Sequence, residues 1–145
     1  EKEAVTRLSR VGFDNTLGIL KGGYEAWVEA GKDVDTIIAL SAVQAKGVLK
    51  DNHKPVFDVR KESEYKAEHL VNSVNTPLDV LNDHLAEFPK KENFYLHCAG
   101  GYRSVIAASI LKGRGIHNLV DITGGIDELK KAGMEVTNYI CPTTL

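Results

Sequence analysis

From residue 36 onward, short apolar, β-branched runs alternate with stretches of helical periodicity, and this alternation restricts the fold more than any other feature of the chain. Residues 36–40 form the first such run. Ser41 then stands as the N-cap of a helix reaching about residue 50. Residues 56–59 read as a buried strand after Pro55, 62–66 as a short helix, and 73–76 as a strand stopped by Pro77. Apolar residues at 78, 81, 85 and 88 make a helical stripe that Pro89 ends. Strands over 93–97 and 119–122 alternate with helices over 104–114 and 124–132. Strand–helix alternation predicts an α/β fold with about five strands in a mainly parallel sheet and helices on both faces. In such sheets the functional groups sit at the carboxyl ends of the strands.

A second feature is an internal repeat. Leu8, Gly12, Gly22-Gly23, Trp27, Ala30-Gly31 and Val34 recur in order as Leu111, Gly115, Gly124-Gly125, Leu129, Ala132-Gly133 and Val136, offset by 102 to 103 residues. That period fits a small domain rather than a solenoid unit. The local reading is a helix end, a short buried strand over 17–20, and a helix opened by Gly22-Gly23 and capped by Gly31. Residues 1–34 are therefore expected to be the truncated tail of a preceding copy, with Trp27 as its core anchor, and 35–145 a complete domain. A helix deprived of its domain leaves an association surface, so residues 1–34 are a candidate homodimer contact.

Composition excludes several classes. The 145 residues suit one domain with an appendage, and 43% apolar with 26% charged residues are ordinary globular values. A net charge of −2 without a Lys/Arg-rich run gives a nucleic-acid backbone nothing to bind. The sequence lacks an apolar run of about 18 residues, so no membrane partner is expected. Two cysteines in unlike contexts, Cys98 and Cys141, argue against a disulfide scaffold and for a reducing, cytoplasmic compartment. The opening Glu1-Lys2-Glu3 has no initiator Met, so a piece of a longer protein is expected.

Cys98 falls immediately after the run Phe94-Tyr95-Leu96-His97, where this fold keeps its sites. Arg103 follows five residues later, and Ser104 opens the apolar helix Val105-Ile106-Ala107-Ala108-Ser109-Ile110-Leu111. Three effects converge on the sulfur. Unpaired N–H groups of the first helical turn favour negative charge there. Gly100 and Gly101 can adopt positive φ, turning successive N–H groups inward as an anion nest. Arg103 adds a permanent positive charge. Each favours thiolate, the nucleophilic form. A lone cysteine at a strand end is ordinarily a small buried hydrophobe; the double glycine, the arginine and the abrupt helix argue otherwise.

His97-Cys98-Ala99-Gly100-Gly101-Tyr102-Arg103-Ser104 resembles the active-site loop of the rhodaneses, the sulfurtransferases. Val56-Phe57-Asp58-Val59-Arg60-Lys61-Glu62-Ser63-Glu64-Tyr65 with His69-Leu70 resembles the family's early strand and helix, and Asp121-Ile122-Thr123-Gly124-Gly125-Ile126 its closing strand and glycine pair. The resemblance covers residues 35–137. It implies a Cys98 persulfide as the intermediate and a loop, Ala99, Gly100, Gly101, Tyr102, Arg103 and Ser104, that binds the transferred sulfur. Asp58 and Arg60 are implied as supporting residues, either touching the active loop or hydrogen-bonded to neighbouring loops and paired with Glu62 or Glu64. A small sulfane-sulfur donor (polysulfide, glutathione persulfide or thiosulfate) and a thiol or cyanide-like acceptor are the implied partners, with no metal or organic cofactor.

Cys98 to Arg103 is six residues counting both ends. The related phosphatases and arsenate reductases have one residue more, a cradle wide enough for a tetrahedral oxyanion, which argues against their chemistry here. A rival reading is a non-catalytic regulatory or scaffolding module that keeps the loop. Tandem copies of this type resemble the carboxyl end of proteins that join a metallo-β-lactamase-fold persulfide oxidase to rhodanese domains.

Strand alternation turns His97 away from the nucleophile, making it a poor general base. His69 is expected to be a satisfied core histidine, and Tyr102 to shape the pocket mouth or stand exposed. Cys141 is a tail residue or a resolving thiol. Glu68, Val71 and Asn72 stand where the family often has Gly, Pro and Gly. Glu64 stands where two-domain thiosulfate sulfurtransferases commonly offer an arginine, which argues against thiosulfate as the donor.

Overall fold

The computed structural model describes residues 2–9, 15–50 and 54–139. They fall into two compact units, Glu1–Thr36 and Ile37–Leu145.

In the larger unit five strands form one sheet: β1 (Ala39–Leu40), β2 (Val56–Asp58), β3 (Ser73–Asn75), β4 (Phe94–His97) and β5 (Leu119–Ile122). Their spatial order is β1-β5-β4-β2-β3, and every pair is parallel. The expected five-stranded parallel α/β architecture is the one found. β4 lies at the centre, with β5 on one side and β2 on the other, so the chain leaves its carboxyl end where the strand order reverses.

Side-chain alternation along the strands sorts the core into two layers. Phe57, Phe94, Leu96 and Leu119 face Ala107, Ala108 and Leu111 of α5 (Tyr102–Gly113) and Leu81 of a 3-10 segment (Leu78–Glu87). Val56, Tyr95, Val120 and Ile122 face Ala42, Ala45 and Leu49 of α3 (Ala42–Leu49) and Leu129 of α6 (Gly125–Lys131). Every residue of β4 and β5 is buried, as a strand covered on both faces requires. Ser41 caps α3 reciprocally with Gln44, its hydroxyl accepting from the Gln44 amide. The stripe at 78, 81, 85 and 88 does pack inward, but through tight 3-10 turns broken at Val80, where φ is −119°.

The strand expected over 36–40 is shorter. β1 is an edge strand whose one neighbour, β5, meets it at Ala39–Asp121 and Leu40–Ile122. Between α4 (Glu62–Ala67) and β3, Asn72 has φ 66°. A glycine would hold this turn freely, and asparagine is the side chain that tolerates it best.

The smaller unit contains α1 (Lys2–Ser9) and α2 (Gly23–Glu29). The buried strand expected over 17–20 is absent: Leu17 is 92% exposed, and Ile19 and Leu20 are also exposed. A strand needs a neighbouring ladder, and the described residues of this unit hold none. Trp27 is likewise exposed instead of anchoring a core, its indole N–H donating to the Asp33 carbonyl at 2.8 Å.

The backbone nevertheless repeats. Gly22 and Gly124 have φ 85° and 81°, and Gly23 and Gly125 both have 62°. The bonds Gly31 N to Val28 O and Lys32 N to Trp27 O recur as Gly133 N to Lys130 O and Met134 N to Leu129 O. Gly12 and Cys141 lie outside the described residues.

Candidate active site

Cys98 is carried to the sheet's carboxyl edge by β4, whose Phe94 and Leu96 are wholly buried. The chain then turns into α5 through Gly101, with φ 96° and ψ −9°, a left-handed conformation that leaves no side-chain cap on the helix. That turn aims the Gly101 N–H at Cys98 Sγ, 3.1 Å away. Gly100 keeps an ordinary φ, so the inward nest expected from both glycines reduces to a single residue in the left-handed region. Ser104 is fully buried and its hydroxyl donates to the Gly101 carbonyl at 3.2 Å, bracing the loop from behind instead of lining its mouth. Ala99 and Gly101 are half-buried, and Gly100 and Tyr102 stand exposed.

The loop's back rests on the turn before α6. The Ile126 N–H donates to the Cys98 carbonyl at 2.9 Å. A Cβ added at Gly125 would overlap the Ala99 carbonyl and lie 2.5 Å from the Cys98 oxygen. Glycine there is a condition of the loop's position, a role the sequence motif contains but does not explain.

Cys98 is only 1% exposed, which puts its sulfur at the floor of the loop. Approach of a donor therefore requires a narrow path or a small displacement of the residues above it.

The charged residues are arranged differently from expectation. Arg60 pairs with Asp58 and not with Glu62 or Glu64: its Nε and Nη2 reach the Asp58 carboxylate at 2.7 to 3.0 Å, and Nη2 also donates to the Glu68 carbonyl at 2.7 Å. Both side chains are buried. Asn75, which the sequence reading passed over, donates to the Asp58 and Arg60 carbonyls. Asp58 and Arg60 thus tie the end of β2 to α4 and β3, and removing one partner would strand a buried charge.

Glu64 takes Arg103 instead. The two terminal guanidinium nitrogens donate to its two carboxylate oxygens at 2.6 and 2.9 Å. The Arg103 hydrogen bonds hold the Glu64 carboxyl below its ordinary range, and Glu64 raises the guanidinium in turn, with a further electrostatic contribution from Cys98. Arg103 reaches the sulfur through its field and spends its forked donors elsewhere. The two residues are 39 apart in the chain, and no spacing signals the pair.

His97 is buried on the face opposite Leu96 and Cys98, as alternation predicts. Its Nδ1 lies 3.3 Å from the Cys98 carbonyl, and its Nε2 lies 3.8 Å from Asp58. Burial pushes the imidazole below its ordinary value of 6.5, with Asp58 opposing. The unfolded chain therefore takes up a proton that the folded chain refuses, and stability falls as pH drops below that value. In thermal melts, wild type should lose Tm as pH falls below 6.5, and His97→Gln should show a shallower slope; parallel slopes would contradict the assignment. His69 is partly buried and satisfied, its Nδ1 2.7 Å from the Tyr65 carbonyl and its ring stacked on Tyr65.

Among the described residues no cluster of three or more His, Cys, Asp or Glu side chains could hold a metal ion, and no helix is long and apolar enough to cross a membrane.

Comparison with known proteins identifies the family. The family model for the rhodanese-like domain matches residues 41–132. An adenylyltransferase and sulfurtransferase of Ogataea parapolymorpha is 38% identical over 75 residues, which are 50% of this chain and 19% of that protein. A tRNA sulfurtransferase of Thermoplasma acidophilum is 36% identical over 62 residues, 42% of this chain and 12% of the other. The chain thus spans less than a fifth of either relative. Among solved structures, a rhodanese-like domain protein of Staphylococcus aureus superposes with a TM-score of 0.62 at 28% identity, covering 70% of this chain and 100% of that one. A rhodanese-related protein of Thermoplasma volcanium gives 0.60 at 28% identity, covering 69% and 97%.

Proposed function

The chain belongs to the rhodanese-like domain family, with relatives named as sulfurtransferases, and from that premise we propose that it moves sulfane sulfur through a persulfide on Cys98. The observation that carries the reading is the Gly101 N–H directed at Sγ from the cap of α5, at the end of the central strand. A hydrogen-bond donor held at that place stabilises negative charge on sulfur without reorganising, as an oxyanion hole does for oxygen.

The cycle has two steps, and sulfur is handed on with no external oxidant or reductant. The Cys98 thiolate attacks the outer sulfur of the donor. A new S–S bond forms on Cys98, and the donor's S–S bond breaks, its electron pair leaving with the departing group: sulfite from thiosulfate, or a thiolate from an organic persulfide. An acceptor nucleophile, a thiolate or cyanide, then attacks the outer sulfur, and the electron pair of the Cys98 S–S bond returns to Cys98. Arg103 and the dipole of α5 favour the anionic sulfur at the start and end of each step. This thiol chemistry suits a reducing, cytoplasmic compartment. The repeated backbone at Gly22-Gly23 and Gly31 supports reading residues 1–34 as the tail of a preceding domain of the same type, whose exposed apolar residues suit association, including with a second copy.

The test is intact mass after separate exposure to thiosulfate, polysulfide and glutathione persulfide. A gain of one sulfur on Cys98, removed by cyanide or excess thiol, is the expected result. The near-complete burial of Cys98 favours a second reading, a folded module that binds partners without turnover. A Cys98 that gains no sulfur from any of the three donors would select it.

A further inference from the structure

β5 is covered on both faces, and strands so placed are ordinarily apolar throughout. Its third residue is nevertheless an acid. Asp121 is 1% exposed, and its Oδ1 is buried with no hydrogen-bond partner. Parallel pairing sets it between Ala39 of β1 and Leu96 of β4. Leu96 and Leu119 belong to the layer beneath α5, so alternation puts the carboxyl in that layer, which also holds Cys98. A buried carboxylate without a cation is costly. The two guanidinium groups beside the loop are already taken, Arg60 by Asp58 and Arg103 by Glu64.

The group that Asp121 meets is the Ser104 hydroxyl. Burial raises the carboxyl above its ordinary range, while Ser104 and the Ile122 amide pull it down. Ser104 is itself fully buried, and its hydroxyl donates to the Gly101 carbonyl at 3.2 Å. The Gly101 N–H in turn lies 3.1 Å from Cys98 Sγ. The Ser104 bond thus steadies a left-handed turn that no side chain caps. A serine hydroxyl has one proton to donate. An ionised Asp121 would compete with the Gly101 carbonyl for it. A protonated Asp121 would not, because its own O–H can donate to the Ser104 oxygen. Other titratable groups on the neighbouring elements leave this balance to Asp121. Tyr95 and His97 of β4 point to the opposite face, Arg103 of α5 is held by Glu64, Tyr102 is exposed, and Lys112 lies in the last turn. Cys98 is the one on the same face.

We infer that Asp121 is a positioning residue for the Cys98 loop: it acts as a neutral acid on the Ser104 hydroxyl, which holds the Gly101 carbonyl and with it the amide that meets the sulfur. The inference rests on the reading of Cys98 as the reactive thiol, and deepens it with a residue that never touches the sulfur.

The experiment follows alkylation of Cys98 by iodoacetamide across pH, read by peptide mass so that Cys141 does not contribute, with thermal melts alongside. Loss of the brace should raise the apparent pKa of the thiol by about one unit, since a displaced amide no longer steadies the thiolate. Ser104→Ala and Asp121→Val should each show that rise. The double variant should rise no further than either, because both act through one bond. Asp121→Asn, whose amide donates to the Ser104 oxygen at every pH, should stay at or below the wild-type value. A fall in Tm with the thiol pKa unmoved would mark a merely structural polar pair and overturn the inference. Additive shifts in the double variant, or a rise in Asp121→Asn, would overturn it as well. Should Asp121→Val not fold, or the reagent not reach Cys98, the melts of Asp121→Asn decide. A carboxyl whose folded pKa exceeds its unfolded one contributes stability that is lost as pH rises, so the Tm of Asp121→Asn relative to wild type should climb from about pH 4 upward. A flat difference overturns the neutral acid. Alkylation uses no sulfur donor: a Cys98 that gains no sulfur sinks the sulfur-transfer reading, whereas an unmoved thiol pKa sinks only the role of Asp121.

Discussion

Under the proposed mechanism, replacing Cys98 with serine should abolish sulfur transfer: kcat/KM for every sulfane-sulfur donor should fall by at least about a thousandfold, because the proposed nucleophile is gone. The substitution exchanges sulfur for oxygen at almost constant shape. A hydroxyl is a far weaker acid and a poorer nucleophile than a thiol, and no persulfide can form on it. Folding should persist, since β4 is held by Phe94 and Leu96 and by parallel pairing to β2 and β5, none of which involves the sulfur. The check is the rate of thiocyanate formation from cyanide, with a thermal melt alongside. A Cys98→Ser protein that melts like wild type and still transfers sulfur at more than a few per cent of its rate would sink the mechanism.

Gly125→Ala is the substitution outside the loop with the largest expected effect. Gly125 has φ 62°, and its missing Cβ is the space that the Ala99 carbonyl occupies. The left-handed conformation costs an alanine about 1–2 kcal/mol, and relieving the overlap adds about 1–3 kcal/mol of strain. A total near 3 kcal/mol lowers Tm by roughly 10 °C or more in a domain of this size. Because the colliding atoms belong to backbone, relief requires the Cys98–Ala99 segment to move, and with it the sulfur and the Gly101 amide. Activity measured well below the new Tm should therefore also fall, by about tenfold or more. Two controls separate the causes. Gly133→Ala shares a positive φ of 78° but meets only the end of the Lys46 side chain, so it should lose stability without losing activity. Gly100→Ala meets nothing within 4 Å and should leave the melt almost unchanged. An active, stable Gly125→Ala protein would mean that the turn before α6 does not hold the loop.

Much of this architecture is legible in the sequence. The order of strands and helices, the cap at Ser41 and the place of Cys98 after the fourth strand follow from local rules: apolar periodicity, capping chemistry and proline stops. These act within a few residues of the chain, where sequence spacing and spatial spacing are nearly the same thing. Expectations failed where burial depends on a neighbour. Residues 17–20 have the composition of a strand and, among the described residues, no ladder to join, and Trp27 has the size of a core anchor but is exposed. Gly100 and Gly101 carry the same freedom, and the packing of the loop uses it at only one of them.

Taken alone, the sequence determined the alternating architecture and the place of the Cys98 loop at the end of a strand, because periodicity and a cysteine–glycine–arginine loop are written in adjacent residues. Tertiary structure alone decided which charges meet. It sent Arg103 to a glutamate 39 residues away, and it set Gly125 beneath the carbonyls of the loop. The reason is that ion pairing and steric exclusion act through space, and the sheet order β1-β5-β4-β2-β3 brings together segments whose separation along the chain carries no information about their contact.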